Sequence, residues 1–276
     1  MTKRFSADVE SLSGGHHVVR AYQLEDRQRE MFPVIYEAEI EFCDPNPKTA
    51  DAWGDVIVSG DRFLVKTDKG GLLTRGSEWV VAQLIPEIGL SCPDVGIIRM
   101  RSTDEYFFGS KYTPVADKVK TRQILHSGES QKHIGLKAAL SAAFAMDMFL
   151  NNEDRHDENF LLHYASSGRR ILLLIDHARC LFSAWPIQQY LPESCNTRST
   201  AKKSFLCHGF DLEAALYTLD QIAKVAPQKV IEILRQVPKG WVPEQVADEF
   251  SAWWGSPAFR ERLAALRMGF EDGSLL

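Results

Sequence analysis

Asp154, Asn159 and Asp176 are the residues whose types and spacing point most directly to chemistry. The first two lie in Asn152-Glu153-Asp154-Arg155-His156-Asp157-Glu158-Asn159-Phe160, and the third follows the apolar run Leu172-Leu173-Leu174-Ile175. Two carboxylates and an amide in this order are the inventory of phosphoryl transfer. One carboxylate orients the attacking hydroxyl and takes its proton, while an amide oxygen and a second carboxylate hold the magnesium that neutralises the phosphates. Asp176 is the most specific of the three, because a carboxylate ending a buried strand is costly unless paired or metal-bound. Taken singly, Asp154 reads first as a cap on a surface turn, and Asn159 also fits a turn residue. Their joint spacing with Asp176 favours the catalytic reading. His156, inside the motif, either assists the chemistry or braces the loop, and His177 reads as a structural neighbour of Asp176. A zinc site made of these two histidines with Asp154 and Asp176 is disfavoured, since zinc ligands usually cluster more tightly.

Several elements must position these groups. A helix over residues 134–151, rich in alanine with Met146 and Phe149 on a broad apolar face, leads straight into the Asp154 loop. Short strands at 160–163 and 171–175, joined by a Ser166-Ser167-Gly168-Arg169 turn, frame Asn159 and Asp176. Upstream, residues 56–66 read as a hairpin turning at Ser59-Gly60-Asp61. Helical periodicity follows over 78–88, with Pro86 ending or kinking it, and then a hairpin of strands at 95–100 and 105–108. Residues 1–60 alternate loops with strand-like runs. Ser13-Gly14-Gly15-His16-His17 reads as a turn feeding a strand, and residues 32–42 as a strand pair or a strand and turn. Beyond Asp176 the pattern is mostly helical, at 212–219, 228–236, 243–254 and 257–268, punctuated by Pro238, Gly240, Gly255 and Gly269. Trp241, Trp253 and Trp254 read as core or interface aromatics.

The step of five from Asp154 to Asn159, followed by an Asp after a strand, matches a protein-kinase catalytic loop and its metal-binding Asp. The spelling Asp154-Arg155-His156-x-x-Asn159 with Ile175-Asp176-His177 resembles the atypical branch shared by phosphoinositide kinases and HipA-like kinases. Phe108-Gly109-Ser110-Lys111-Tyr112, Asp147-Met148-Phe149-Leu150-Asn151-Asn152 and Val237-Pro238-Lys239-Gly240-Trp241 resemble the HipA-like kinase family more closely. The resemblance runs over residues 60–270. It implies an α+β, bilobal, protein-kinase-like fold, with a small β-rich lobe at residues 1–110 and a larger, mainly helical lobe at 111–276.

The resemblance also implies ATP and Mg2+ as cofactors, Asp154 with His156 as catalytic residues, and Asn159 and Asp176 as metal ligands. Lys66, ending the strand Phe63-Leu64-Val65, becomes the phosphate lysine. Glu78, twelve residues later, becomes its partner. By themselves the two read equally as a surface lysine and a helix-start glutamate favoured by the dipole. Gly14 and Gly15 are the candidate phosphate-covering turn, where small residues let backbone amides approach phosphates. Asn46-Pro47-Lys48-Thr49 is the alternative, and an ordinary turn at Gly14-Gly15 fits equally. Phe108, Gly109 and Ser110 are the candidate inter-lobe segment whose backbone would read the adenine edge, with a hairpin end as the plain alternative. Lys66 lies further from Gly15 than the resemblance implies, so residues 24–55 are expected to be an insertion. Toxin members of the resembling group phosphorylate translation factors such as an aminoacyl-tRNA synthetase. That implies a toxin–antitoxin setting and a Ser or Thr acceptor on a protein, the chain itself included. A lipid or small-molecule acceptor is the second reading, and a nucleotide-binding pseudokinase or scaffold the third, disfavoured by the complete Lys, Glu, Asp, Asn, Asp set.

Composition sets the outer bounds. The 276 residues carry 32 basic and 37 acidic side chains, a formal net charge of −5, with 45% hydrophobic and 25% charged residues. This matches an ordinary globular protein large enough for one big domain or two lobes. It does not favour tight nonspecific nucleic-acid binding, although Lys111, Lys118, Lys120 and Arg122 could form a local basic patch. The five cysteines are scattered, with no C-x-x-C pair, so neither a zinc site nor a disulfide framework is expected. No apolar run reaches the roughly 18 residues of a membrane span, and Met1 to Ser6 shows no apolar leader. A cytoplasmic location is the expectation.

Overall fold

The structure, a computed structural model, describes residues 4–11, 17–24, 35–38, 41–42, 53–58, 61–68, 71–113, 118–127, 135–164, 170–187 and 190–276. Strands β1 (Arg4–Ser11) and β2 (His17–Leu24) pair antiparallel with each other. Strands β3 (Ile35–Ala38), β4 (Glu41–Phe42), β5 (Trp53–Val58) and β6 (Asp61–Lys66) follow. Helix α1 (Thr74–Glu87) comes next, then β7 (Val95–Met100) and β8 (Tyr106–Lys111). Strands β3 to β8 form one six-stranded sheet in the order β3-β7-β8-β6-β5-β4.

Residues 32–42 were expected to form a strand pair or a strand and turn. Instead β3 pairs parallel with β7 at one edge, and β4 pairs antiparallel with β5 at the other. Ala38 and Glu41 are three steps apart, so they lie within about 11 Å of each other. The edges of a flat six-stranded sheet would be about 24 Å apart. The sheet must therefore curl until its edges meet, and β3 does touch β5. The curl encloses a small core of Ala38, Phe63, Val65, Ile98, Met100 and Phe107. The Tyr36 ring of β3 lies 4.9 Å from that of Phe63 on β6.

After β8 the chain becomes mainly helical. Helices α2 (Lys118–His126) and α3 (Leu136–Leu150) precede the antiparallel pair β9 (Phe160–Tyr164) and β10 (Arg170–Leu174). Helices α4 (Asn196–His208), α5 (Leu212–Lys224), α6 (Pro227–Arg235), α7 (Glu244–Trp253) and α8 (Pro257–Glu271) complete the fold. Thirteen of the fifteen residues of α3 are buried, which makes it the spine of the large core.

Two helices went unread in the sequence. The buried face of α4 is Thr197, Arg198, Thr200, Ala201, Ser204 and His208, so no apolar period marks it. In α2 the interior begins with a polar residue, Thr121, whose hydroxyl accepts a hydrogen bond from the Leu162 backbone N–H at 2.9 Å. Helix α1 starts one turn earlier than its apolar period suggested and runs through Pro86 to Glu87; it stops at Gly89, whose φ of +81° lets the Leu90 N–H reach back to the Ile85 carbonyl at 3.0 Å.

Among the described residues Cys180, Cys195 and Cys207 are free thiols. No described helix is long and apolar enough to cross a membrane.

Candidate active site

Lys66 ends β6 with only 7% of its surface exposed. A buried ammonium is stable only when paired. Lys66 Nζ donates to a carboxylate oxygen of Glu78, one turn into α1, and to Asp176 Oδ1 at 2.8 Å. Two of its three N–H bonds are thus engaged. Burial would depress the Lys66 ammonium, but the charges of Asp176 and Glu78 outweigh it and hold the group above its ordinary range. Burial likewise pushes the Glu78 carboxyl up, against the pull of Lys66 and a hydrogen bond from the His177 backbone.

Asp176 follows β10 with φ +61°, in the left-handed region. Non-glycine residues adopt this conformation uncommonly. Burial would raise its carboxyl, yet Lys66 holds it well below the usual carboxylate range. The Asp176 side chain keeps 39% of its surface open, against 9% and 3% for Lys66 and Glu78. It is the member of the trio that a ligand could reach.

The Asp154 loop is built around Arg155, which is 2% exposed. Its guanidinium grips Asp147 of α3 with two bonds, at 2.8 and 3.0 Å. It also donates to the carbonyls of Asn159, at 2.9 Å, and Ile175, and lies 5.3 Å from the centre of the Phe160 ring. A fork of fixed N–H donors suits this joining of three segments. One further donation, at 3.2 Å, goes to Nδ1 of His177. Burial, helped by the Arg155 charge, drives the His177 pKa well below its ordinary value, so the ring is neutral.

Asn159 closes a 3-10 turn, Asp157–Asn159. Its side-chain N–H donates to the Asp154 carbonyl at 2.9 Å, and its own carbonyl accepts from the Ile175 N–H at 3.1 Å. The amide oxygen is the atom left for a ligand. Asp154 is braced from two sides: Asn196 Nδ2 of α4 donates to its Oδ1, and Arg179 Nε, three residues after Asp176, lies 3.4 Å from its Oδ2. Next to Asn196, the Thr197 hydroxyl donates to the Asn152 carbonyl and accepts from the Arg155 N–H at 2.9 Å.

Lys66, Glu78 and Asp176 are joined by ion pairs, and Asn159 with Asp154 is tied to them through the Ile175–Asn159 backbone bond and the Arg155 guanidinium, so the five form one connected patch. His156 caps the 3-10 turn through its backbone, its carbonyl accepting from the Asn159 N–H at 2.9 Å, and its ring makes no hydrogen bond among the described residues. The loop brace is Arg155. Gly14, Gly15 and the alternative 46–49 turn lie outside the described residues. Phe108, Gly109 and Ser110 differ from expectation. They are interior residues of β8, paired with Lys66, Val65 and Leu64 on one side and with Ile97, Gly96 and Val95 on the other. A backbone committed to a sheet ladder has no edge to offer adenine. The commitment runs on to Tyr112, whose N–H donates to the Arg62 carbonyl at 2.7 Å. Gly109 serves packing instead, since a Cβ there would lie 2.8 Å from Ile98 Cγ1.

Sequence reasoning missed Asp147, Asn196, Thr197 and Arg179. Asp147 alone carried a signal: a carboxylate on an otherwise apolar helix must find a cation, and Arg155 lies eight residues on.

Among the described residues no cluster of three or more His, Cys, Asp or Glu could by itself hold a metal ion. One open carboxylate and one free amide oxygen fit magnesium, which binds through few protein oxygens together with phosphate and water.

The fold defined by the curled sheet, α1 and the helical lobe is protein-kinase-like: bilobal and α+β. It is similar to the crystal structure of a Helicobacter pylori proinflammatory kinase, CtkA, with a TM-score of 0.55 and 13% sequence identity, covering 87% of this chain and 99% of that one. A structure of WaaP in complex with acyl carrier protein aligns over 86% of this chain and 89% of that one at 15% identity, with a TM-score of 0.36, too low to carry weight. No family model and no curated protein matches the sequence.

Proposed function

We propose that this protein is an ATP- and magnesium-dependent phosphotransferase acting on a Ser or Thr hydroxyl of a protein, the chain itself included. The observation that carries the reading is the connected patch from Lys66 through Asp176 and Asn159 to Asp154. The fold likeness to a kinase supports the class, and the motif spelling around Asp154 and Asp176 supports a HipA-like assignment. Residues 1–110 form the nucleotide-covering lobe, with Lys66 at its inner end, and residues 111–276 the lobe that carries the acceptor.

Lys66, held by Glu78, turns its remaining N–H toward the phosphates. Asp176 and Asn159 supply oxygens to magnesium, which when bound neutralises the phosphate charge. Asp154, fixed by Asn196, orients the acceptor hydroxyl and takes its proton as the hydroxyl oxygen bonds to the γ-phosphorus. The bond from that phosphorus to the bridging oxygen breaks, and ADP leaves with the electron pair. Catalysis here is mostly positioning and charge stabilisation.

The test is incubation with γ-labelled ATP and magnesium, with and without a cell lysate, beside Asp154→Asn and Asp176→Asn. Label on the chain or on a lysate protein is expected. Asp154→Asn should lose it while still binding nucleotide, and Asp176→Asn should bind magnesium–nucleotide more weakly as well. ATP loss without protein label would move the acceptor to a lipid or small molecule. Nucleotide binding with neither label nor ATP loss would replace the enzyme reading with a pseudokinase.

A further inference from the structure

The turn that follows Val237 presses on the helix that carries Glu78. A Cβ at Gly76 of α1 would lie 2.3 Å from Val242 Cγ2, 3.1 Å from the Trp241 carbonyl oxygen and 3.4 Å from the Phe182 ring. Only a residue without a side chain lets the helix come this close. Polar contacts flank the point on both sides. Ser77 Oγ donates to the Cys180 carbonyl at 2.8 Å, in the segment just after Asp176. The Arg75 guanidinium pairs with Asp68 at 2.8 Å, donates to the Tyr106 carbonyl at 2.8 Å and lies 5.5 Å from the Trp241 ring centre. Trp241, 1% exposed, donates through Nε1 to that same Tyr106 carbonyl at 3.1 Å. At the far end of α1, Glu87 pairs with Lys229 of α6 at 3.0 Å. Both ends of the helix are thus tied to the helical lobe, and Glu78 sits two residues beyond Gly76.

We propose that Gly76, Trp241 and Val242 are positioning residues for the Lys66–Glu78 pair. The turn seats α1 so that the pair is assembled in the isolated chain, with no partner protein and no modification needed to bring the helix in. This rests on the reading of Lys66 and Glu78 as the nucleotide-phosphate pair. In protein kinases at large, the placement of the corresponding helix decides whether that ion pair forms.

The experiment compares the full-length parent, Gly76→Ala and Gly76→Ala/Val242→Ala. The readouts are the Kd for ATP with magnesium, hydrogen exchange of the α1 amides, and the melting temperature without nucleotide. Alanine is the better helix former, so a merely structural role predicts an unchanged or tighter helix. The clamp predicts that Gly76→Ala displaces α1, speeds exchange at residues 78–85 and weakens ATP binding by about tenfold or more, the scale of losing one hydrogen bond between charged groups. Removing the opposing methyls with Val242→Ala should restore both readouts to within about threefold, because contacting sites couple. Parental binding and exchange in Gly76→Ala would overturn the proposal, and so would failure of Val242→Ala to rescue. Should Gly76→Ala not fold, Trp241→Phe, which removes the donation to Tyr106, decides by the same two readouts. If the parent itself binds no ATP, the phosphotransfer reading falls. Exchange alone then judges the clamp: acceleration reversed by Val242→Ala keeps it, and parental exchange removes it.

Discussion

Arg155 and Lys66 are both buried cations, each held by at least one buried carboxylate, yet they are built for different ends. Arg155 lies eight residues from Asp147, and every contact it makes is internal: a carboxylate, two backbone carbonyls, a neutral imidazole and an aromatic face. Nothing is left for a ligand. Lys66 draws its partners from residues 78 and 176, and the second of these is 39% open. A saturated guanidinium fixes a loop, whereas an ammonium with one open partner can exchange that partner for a phosphate. The same physics of pairing a buried charge thus gives a scaffold around Arg155 and a poised site around Lys66.

Substitutions that remove each cation should separate the two roles. Arg155→Met leaves the fully buried Asp147 with its main partner gone. A loss of about 3–5 kcal/mol in urea unfolding is expected, along with loss of phosphotransfer. A drop below 1 kcal/mol would mean that Arg155 is no scaffold. Lys66→Met should cost less, about 1–3 kcal/mol, because Asp176 can turn to water and Glu78 can take up a proton. The sign follows from Glu78, whose folded-state carboxyl is already raised above its ordinary value. The variant should be least penalised at acidic pH and lose stability as pH rises through the carboxylate range. A penalty flat between pH 4 and 8 would contradict this. Phosphotransfer should nonetheless vanish at every pH, a split of stability from activity that Arg155→Met should not show. Arg267→Ala, which breaks a pair with Asp220 that is 52% open, should change stability by no more than about 1 kcal/mol and leave activity alone. An effect as large as that of Lys66→Met would show that exposure does not separate these ion pairs.

The two sides also differ in how far the sequence disclosed them. The loop from Asp154 to Asn159, the helix before it and the strands around it are contiguous, so spacing and local periodicity sufficed to place them. Lys66 and Glu78 were legible through order along the chain, as a strand-end lysine followed by a helix glutamate. What braces Asp154 was not legible. Asn196 and Thr197 open a helix whose buried face is polar, and they reach the loop from more than forty residues away. The strand containing Phe108, Gly109 and Ser110 runs longer than its apolar core, since Gly109 and Ser110 carry no strand signal although the ladder holds them. Residues 32–42 looked like a local pair because alternation reports a strand but never its neighbour.

The closure between β3 and β4 bears on the stretch first read as an insertion. Its described strands supply both margins of the six-stranded sheet, one beside β7 and the other beside β5. Bare sheet margins offer rows of unpaired N–H and C=O groups that recruit other chains. Excising residues 24–52 would therefore not return a smaller version of the same lobe. It would turn the longer strands β5 and β7 into bare edges, and the shortened chain should self-associate.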